Sequence, residues 1–371
     1  MKYLNNKLAI ASVVSVLALT LALPATAKTN NKPSAKTPAA AAKKTVAKTS
    51  NKAAAVKPKE TKKIAASKTA KPVVAAKQKV SAKKVNVAKA KPAPVVRRVS
   101  YGRQYGLDQA YDPLSLRASV ALVVDQNSWT TVYDKNSHSQ LPIASITKLM
   151  TAMVTLDAGL DMSETITINE EDAMHYRSSR LSTGTTLTRR DVLLLALMSS
   201  DNRAAYALGR TYPGGLYAFI QAMNAKASML GMSGARFVDP SGLSASNQAS
   251  AMDLAKMVNA ASQYKVIRQL STAESATVYT PSGRQLVYHN SNRLISRNMG
   301  WNIGLQKTGT LTAAGKCVVI QAFINGAPKI IVLLDSANAN SRVTDAQAIK
   351  DWLEAGGAGT ISSVRRTAEN S

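Results

Sequence analysis

The feature that most limits what this chain can fold into is an abrupt change of composition near residue 98. Residues 28–98 hold 21 Lys and Arg against one acid, Glu60, in a low-complexity array of Ala, Lys, Pro, Thr and Val. Such a stretch cannot bury enough apolar surface to form a core, so we predict a disordered basic arm. We expect the folded unit at residues 99–356, followed by a polar tail at 357–371.

The first 27 residues have the pattern of a secretory signal peptide. Lys2 and Lys7 come before an apolar run at 8–23, and the small residues A-T-A at 25–27 suit a cleavage site. The run is about 16 residues long, whereas a membrane-spanning helix needs roughly 20. We therefore predict cleavage, export to the periplasm, loose association with the cell wall or membrane, and no membrane span in the mature chain.

The basic arm decides how the net charge is interpreted. The whole chain carries +27, and 21 basic residues against one acid place +20 of it in the arm. Without interleaved aromatic residues, such a segment binds polyanions only in a salt-dependent and unspecific way, so we expect no specific nucleic-acid partner. Two interpretations stay open: the arm is a solvated spacer, or it is a tether to an anionic polymer of the cell envelope.

The cysteine and the histidines exclude two further classes. Cys317 is the single cysteine, so the chain can form no internal disulfide, and its apolar surroundings favour a buried core thiol. His138, His175 and His289 show no metal-ligand spacing. We expect no metal and no other cofactor.

Apolar periodicity predicts an α+β fold. Strand-like runs stand at both ends of the folded unit, and helical patterns fill its middle. The sheet should therefore be assembled from both chain ends around a helical middle lobe. The predicted strands are 119–125, 130–133, 304–307, 318–324 and 330–334; the predicted helices include 144–157, 192–198 and 344–354.

The motif S-x-x-K is the first candidate for chemistry. Ser145 and Lys148 are three residues apart at the start of a predicted helix, so both lie on one face. A lysine that is buried beside other cations can lose its charge and accept the proton of a serine nucleophile. Alone, the motif favours the alternative of a capping serine with a surface lysine one turn on.

The motif S-D-N follows the apolar run at 192–198, which predicts a buried helix. Ser200 could pass a proton to a leaving amine, and the amide of Asn202 could orient Lys148 or hold a carbonyl. The alternative is an ordinary capping turn between two helices.

The motif K-T-G stands at the end of a predicted strand. Lys307 and Thr308 suit a substrate carboxylate, and Gly309 lets backbone approach backbone. The N–H of Thr310 would then serve as an oxyanion donor.

Together, S-x-x-K, S-D-N and K-T-G at 145, 200 and 307 resemble the motifs of the low-molecular-mass penicillin-binding proteins, the D-alanyl-D-alanine peptidase family. The resemblance covers about residues 110–356, and segments 239–243 and 289–294 also look similar. It implies the β-lactamase-like fold.

The resemblance also implies a mechanism. Ser145 would form an acyl-enzyme with the D-alanyl carbonyl of peptidoglycan peptide stems, and Lys148 would accept its proton. Ser200 and Lys307 would complete the proton and carboxylate network, and β-lactams would be covalent inhibitors.

Two differences from related proteins, the class A β-lactamases and the D-alanine carboxypeptidases, favour the endopeptidase branch of the family. The one glutamate between the second and third motifs, Glu274, does not resemble the deacylating residue of class A β-lactamases. Only 64 residues follow Lys307, too few for the second domain and anchor helix usual in the carboxypeptidases. We predict a serine-type D-alanyl-D-alanine endopeptidase; the alternatives are a D-alanyl-D-alanine carboxypeptidase and a non-catalytic wall-binding protein.

Overall fold

The sheet at the centre of the computed structural model takes its strands from both ends of the folded region. The structure describes residues 99–174 and 179–357, which lie within one compact unit, Ala88–Ser371. The predicted signal peptide (1–27), the basic arm (28–98), His175 and all but the first residue of the tail (357–371) fall outside the described residues. No helix in the described ranges has the length and apolar character needed to cross a bilayer.

Short and long strands alternate with helices along the described chain. The strands are β1 (Ala118–Asp125), β2 (Thr131–Lys135), β3 (Leu141–Pro142), β4 (Thr165–Thr167), β5 (Thr186–Thr188), β6 (Gln248–Ala249), β7 (Ser275–Tyr279), β8 (Gln285–His289), β9 (Ile303–Leu311), β10 (Gly315–Ile324) and β11 (Ala327–Ser336). The helices are α1 (Tyr101–Gln104), α2 (Thr147–Asp157), α3 (Glu170–Met174), α4 (Arg189–Met198), α5 (Asn202–Arg210), α6 (Gly215–Met229), α7 (Ala251–Ala261), α8 (Lys265–Thr272), α9 (Arg293–Ser296) and α10 (Ala339–Glu354).

The main sheet has five antiparallel strands in the order β2-β1-β11-β10-β9. The predicted α+β class, with a sheet from both chain ends and a helical middle lobe, is therefore confirmed. Because β9 ends the sheet, its outer edge is free to face the helical lobe, and this edge carries the K-T-G motif.

Both faces of the sheet are buried, which explains the nearly continuous apolar character of its strands. Val120, Leu122 and Val124 of β1 pack into the core shared with the helical lobe. The alternate residues Ala121 and Val123 pack in a second core beneath α10. Helices on both sides hold the sheet rigidly, so the groups at its edge keep fixed positions.

Among the predicted boundaries that differ from the structure, three bear on the site. Residue Ser145 lies in a 3₁₀ turn, Ala144–Ile146, ahead of α2. The K-T-G motif lies inside β9, since the strand continues to Leu311. Helix α10 begins at Ala339, five residues before the predicted start at 344. Its first turn is rich in Asn and Ser, which compete with the helical backbone for hydrogen bonds and so give a weak helical pattern.

Candidate active site

Ser145 is held at the mouth of a cleft by a tight and strained turn. The preceding residue, Ala144, has φ +48°, a left-handed conformation that costs a non-glycine residue free energy. Gly242, with φ +81°, packs against this turn so closely that a Cβ atom would overlap the carbonyl oxygen of Ala144. Only glycine fits there, and the 239–243 loop therefore fixes the turn that carries Ser145.

Lys148 lies beneath Ser145 and is fully buried. Its Nζ donates to Ser145 Oγ at 2.8 Å, to Asn202 Oδ1 at 2.7 Å and to the carbonyl oxygen of Ser241 at 2.7 Å. Three acceptors at these distances hold the amine in one position. The predicted proximity of Ser145 and Lys148 is present in the structure.

Burial lowers the pKa of Lys148 from 10.5 to about 7. The expectation that neighbouring cations depress this pKa was wrong in its cause, because the nearby charges that act on Lys148 are the carboxylates of Asp239 and Asp201, and both raise it. Desolvation of the ammonium outweighs them. A pKa near 7 leaves a large neutral fraction at neutral pH, which a proton acceptor requires.

The S-D-N motif forms both a helix cap and part of the site. Asp201 caps α5, where it accepts a hydrogen bond from the N–H of Ala204 at 3.0 Å. Ser200, with φ +64°, and Asn202 flank it and line the cleft. Since Asn202 Oδ1 accepts from Lys148, its amide orients the lysine. The predicted capping turn is therefore present and Asn202 contacts Lys148, while proton transfer by Ser200 stays a prediction.

The K-T-G motif brings the edge of β9 against the serine turn. A Cβ atom at Gly309 would lie 2.9 Å from the carbonyl oxygen of Ile143 and 3.1 Å from Cβ of Ala144, so glycine allows the close approach. Thr308 Oγ1 lies 2.8 Å from Ser291 Oγ.

Lys307 is fully buried behind Ser200. Its Nζ donates to Ser200 Oγ at 2.8 Å and to the carbonyl oxygen of Thr308 at 2.9 Å. Burial, followed by the charges of Lys148 and Arg342, holds the pKa of Lys307 well below its usual value. The predicted contact between Lys307 and a substrate carboxylate stays a prediction.

A pocket of about 250 Å³ unites these elements. Six of the eight predicted site residues line it, and the remaining two, Lys148 and Lys307, lie beneath the lining serines. The lining residues are Ser145, Ser200, Asn202, Leu243, Ser291, Thr308, Gly309, Thr310 and Arg342.

Three polar residues that sequence reasoning did not place in the site contribute to it. Ser241 and Ser291 belong to the segments 239–243 and 289–294, whose resemblance was the available signal. Arg342, in the first turn of α10, had no such signal. It is 7% exposed and donates from Nη1 to the carbonyl oxygens of Gly309 at 3.3 Å and Cys317 at 3.1 Å. Cys317 is a buried core thiol, as predicted, and burial raises its pKa to about 12.

Comparison with known proteins agrees with this geometry. Residues 108–338, well over half of the chain, match the family model described as D-alanyl-D-alanine carboxypeptidase. The chain belongs to this family. The predicted family, the β-lactamase-like fold of its structural neighbours and the serine D-alanyl-D-alanine peptidase class are thereby confirmed.

Individual relatives share most of the described region. The D-alanyl-D-alanine endopeptidase of Pseudomonas aeruginosa is 46% identical over 244 residues, covering 65% of this chain and 78% of the relative. The D-alanyl-D-alanine endopeptidase of Escherichia coli is 44% identical over 239 residues, covering 64% and 77%. The solved structure of a Streptomyces DD-transpeptidase superimposes with a TM-score of 0.60 at 26% identity, covering 66% of this chain and 98% of that one.

Proposed function

We propose that this chain cleaves D-alanyl peptide bonds in the cross-links of peptidoglycan through an acyl-enzyme on Ser145. One observation carries the proposal: the amine of the buried Lys148, whose pKa is about 7, lies 2.8 Å from Ser145 Oγ at the mouth of the cleft. A serine becomes a strong nucleophile when a neutral base accepts its proton at this distance.

In the first step, Ser145 Oγ attacks the D-alanyl carbonyl carbon while its proton passes to Lys148 Nζ. The carbonyl oxygen becomes an oxyanion, which we assign to the backbone N–H groups of Ser145 and Thr310. Both residues line the same pocket, and Gly309 lets the strand backbone approach the serine turn. Fixed N–H donors aimed at a developing oxyanion stabilise the transition state without reorganisation.

In the second step, the carbon–nitrogen bond breaks and the leaving amine takes a proton from Ser200. Ser200 Oγ accepts a hydrogen bond from Lys307, so its own hydrogen is free to point to the amine. The proton that Lys148 took from Ser145 then restores the Ser200 hydroxyl, which leaves Lys148 neutral. Water attacks the ester with Lys148 as general base, Lys148 returns this proton to Ser145 Oγ, and the donor stem leaves as a free acid. Efficient capture of β-lactams follows, because their ring-opened acyl group forms the same ester on Ser145.

The carboxylate next to the scissile bond needs a cationic or hydroxyl-bearing partner in the pocket. Arg342 lines the pocket, and one of its nitrogens is occupied by backbone oxygens. A guanidinium has five N–H donors, so others remain for a carboxylate. We assign this contact to Arg342 with the hydroxyls of Thr308 and Thr310, while Lys307 controls Ser200 from behind.

The preference for cross-links is supported by the names of the two relatives at 44% and 46% identity, both D-alanyl-D-alanine endopeptidases. Digestion of purified muropeptides tests it, with Ser145→Ala as the inactive control. We expect cross-linked dimers to become monomers. If monomeric pentapeptides lose D-alanine while dimers persist, the carboxypeptidase alternative is correct. If Ser145 takes no label from fluorescent penicillin, the non-catalytic alternative gains support.

We further propose that the enzyme acts in the periplasm, on the basis of the signal-peptide pattern at 1–27. The basic arm at 28–98 is either a spacer or a tether to an anionic envelope polymer. Deletion of 28–98 distinguishes them: a tether requires that salt-dependent binding to isolated cell-wall sacculi falls, whereas a spacer leaves it unchanged.

A further inference from the structure

A second groove, of about 530 Å³, lies next to the pocket around Ser145. Thr310 lines both, so the two spaces are neighbours at this residue. Beyond Thr310 the groove is bounded by the turn from β9 to β10, the end of β11 and helix α1. A peptide that follows the edge of β9 past the K-T-G motif would enter this groove.

The wall formed by α1 is attached firmly to the sheet. The N–H of Tyr101 donates to the carbonyl oxygen of Ala313 at 2.9 Å. The carboxylate of Asp335 lies against Gly102 and Gly315 so closely that a Cβ atom at either glycine would overlap it. Ser119 Oγ donates to Asp335 at 2.8 Å, and Asp335 is only 2% exposed. The groove is therefore built before any ligand arrives.

The open lining of the groove is cationic and rich in hydrogen-bonding groups. Arg103 is exposed and Lys316 is half-buried, and both line the groove. Among the described residues of the lining, the one acid, Asp335, is enclosed between the two glycines. Exposed Thr312 and Asn338 add polar groups. This surface suits an acidic peptide.

We propose that this groove binds the acceptor half of the cross-link, the acidic peptide that leaves when Ser145 becomes acylated. The inference rests on the proposed function. A substrate that ends at the carboxylate beside the scissile bond needs only the pocket at Ser145 and Arg342. A cross-linked substrate continues beyond that carboxylate, past Thr310, and only such a substrate reaches Arg103 and Lys316. The groove would therefore favour cleavage of cross-links over removal of a terminal D-alanine.

The test compares two substrates on one enzyme. Values of kcat/KM are measured for a cross-linked muropeptide dimer and for a monomeric pentapeptide, with wild type and with Arg103→Gln/Lys316→Gln. We expect the dimer-to-pentapeptide ratio of kcat/KM to fall roughly five- to tenfold, since two favourable charge contacts with the acidic acceptor are lost. Raising the salt concentration should reduce the difference between wild type and variant.

Arg190→Gln is the matched control. Arg190 is exposed in the first turn of α4, the end opposite to Ser200. This variant removes the same charge and should keep the wild-type ratio. Melting temperatures and penicillin labelling of all variants check that the fold and Ser145 are intact.

The outcomes separate the two proposals. If wild type trims pentapeptides and leaves dimers intact, the endopeptidase function fails and the groove has no acceptor to bind. If wild type cleaves dimers but the double variant keeps the wild-type ratio, the function stands and the groove proposal is wrong. If the double variant loses penicillin labelling, the affinity of the muropeptide dimer is measured for Ser145→Ala with and without the two substitutions. Equal affinities would contradict the proposal that the groove binds the acceptor half.

Discussion

The pKa of Lys148 predicts how acylation depends on pH. Burial lowers this pKa from 10.5 to about 7, and acylation needs the neutral amine. The activity should therefore be present above pH 7 and be lost as the pH falls through 7. With a single pKa near 7, the neutral fraction rises from about one-eleventh at pH 6 to about ten-elevenths at pH 8, roughly a tenfold gain in rate.

The assay is the second-order rate constant for acylation of Ser145 by a fluorescent penicillin, measured by stopped flow between pH 5.5 and 9.5. The expected profile rises and then levels off above about pH 8. A lysine with its ordinary pKa of 10.5 would instead give a rate that climbs about tenfold per pH unit without a plateau in this range. That result, or a rate independent of pH, would refute the assignment of Lys148 as the base.

A variant tests whether the rising part of the pH profile reports the titration of Lys148. Asn202→Asp would place a carboxylate where Oδ1 now lies, 2.7 Å from Lys148 Nζ. An adjacent opposite charge favours the ammonium and raises its pKa by about 1–3 units. The rising limb should move to higher pH by the same amount, with the plateau rate recovered in part. If the rising part of the profile stays at the same pH, a group other than Lys148 titrates.

Three further predictions concern the geometry of the site. Gly242→Ala should destabilise the fold by roughly 3 kcal/mol or more and abolish acylation, since it adds a clash with Ala144 to a left-handed backbone. The control is Gly283→Ala, where φ is +78° and the surrounding space is open. It should destabilise the fold by only about 1–2 kcal/mol and keep acylation. Arg342→Gln should lower kcat/KM for a substrate with a free carboxylate by roughly 10- to 100-fold, while a C-terminally amidated substrate should be affected little; equal losses for both would contradict the carboxylate contact. Ser145→Ala should remove penicillin labelling without lowering the melting temperature by more than a few degrees, and residual labelling would place the nucleophile elsewhere.

The sequence was sufficient for the sheet and for most of the pocket because both depend on local patterns. Apolar runs such as β1, buried on two faces, are visible without tertiary information. The three motifs, with Thr310 directly after the third, marked six residues that line the pocket and the two lysines beneath it. The spacing of the motifs along the chain does not give their distances in space. The 2.8 Å contact between Lys307 and Ser200, which are 107 residues apart, is therefore visible only in the structure.

The parts of the site that could not be predicted leave no recognisable pattern of side chains in the sequence. The third acceptor for Lys148 is a backbone carbonyl, that of Ser241, and any residue could offer it. Arg342 reaches the pocket because α10 packs across the sheet and begins one turn earlier than its Asn- and Ser-rich start suggests. The burial of Lys307 likewise depends on how β9 packs against α8 and the 3₁₀ turn that carries Ser145, which a pattern within β9 does not reveal.

The two buried lysines give the site a direction for proton transfer. Lys148 is paired with Ser145 and Lys307 with Ser200, each at 2.8 Å, and a positive charge on Lys148 lowers the pKa of Lys307. When Lys148 takes the proton of Ser145, it becomes charged, and a proton on the side of Lys307 and Ser200 becomes easier to release. That is the moment at which the leaving amine needs one. Because both amines are fully desolvated, this coupling is screened far less than it would be at a surface. Replacing Lys307 by a permanently neutral residue should therefore slow departure of the amine more than attack by Ser145, and poor leaving groups should suffer more than the strained amide of a β-lactam.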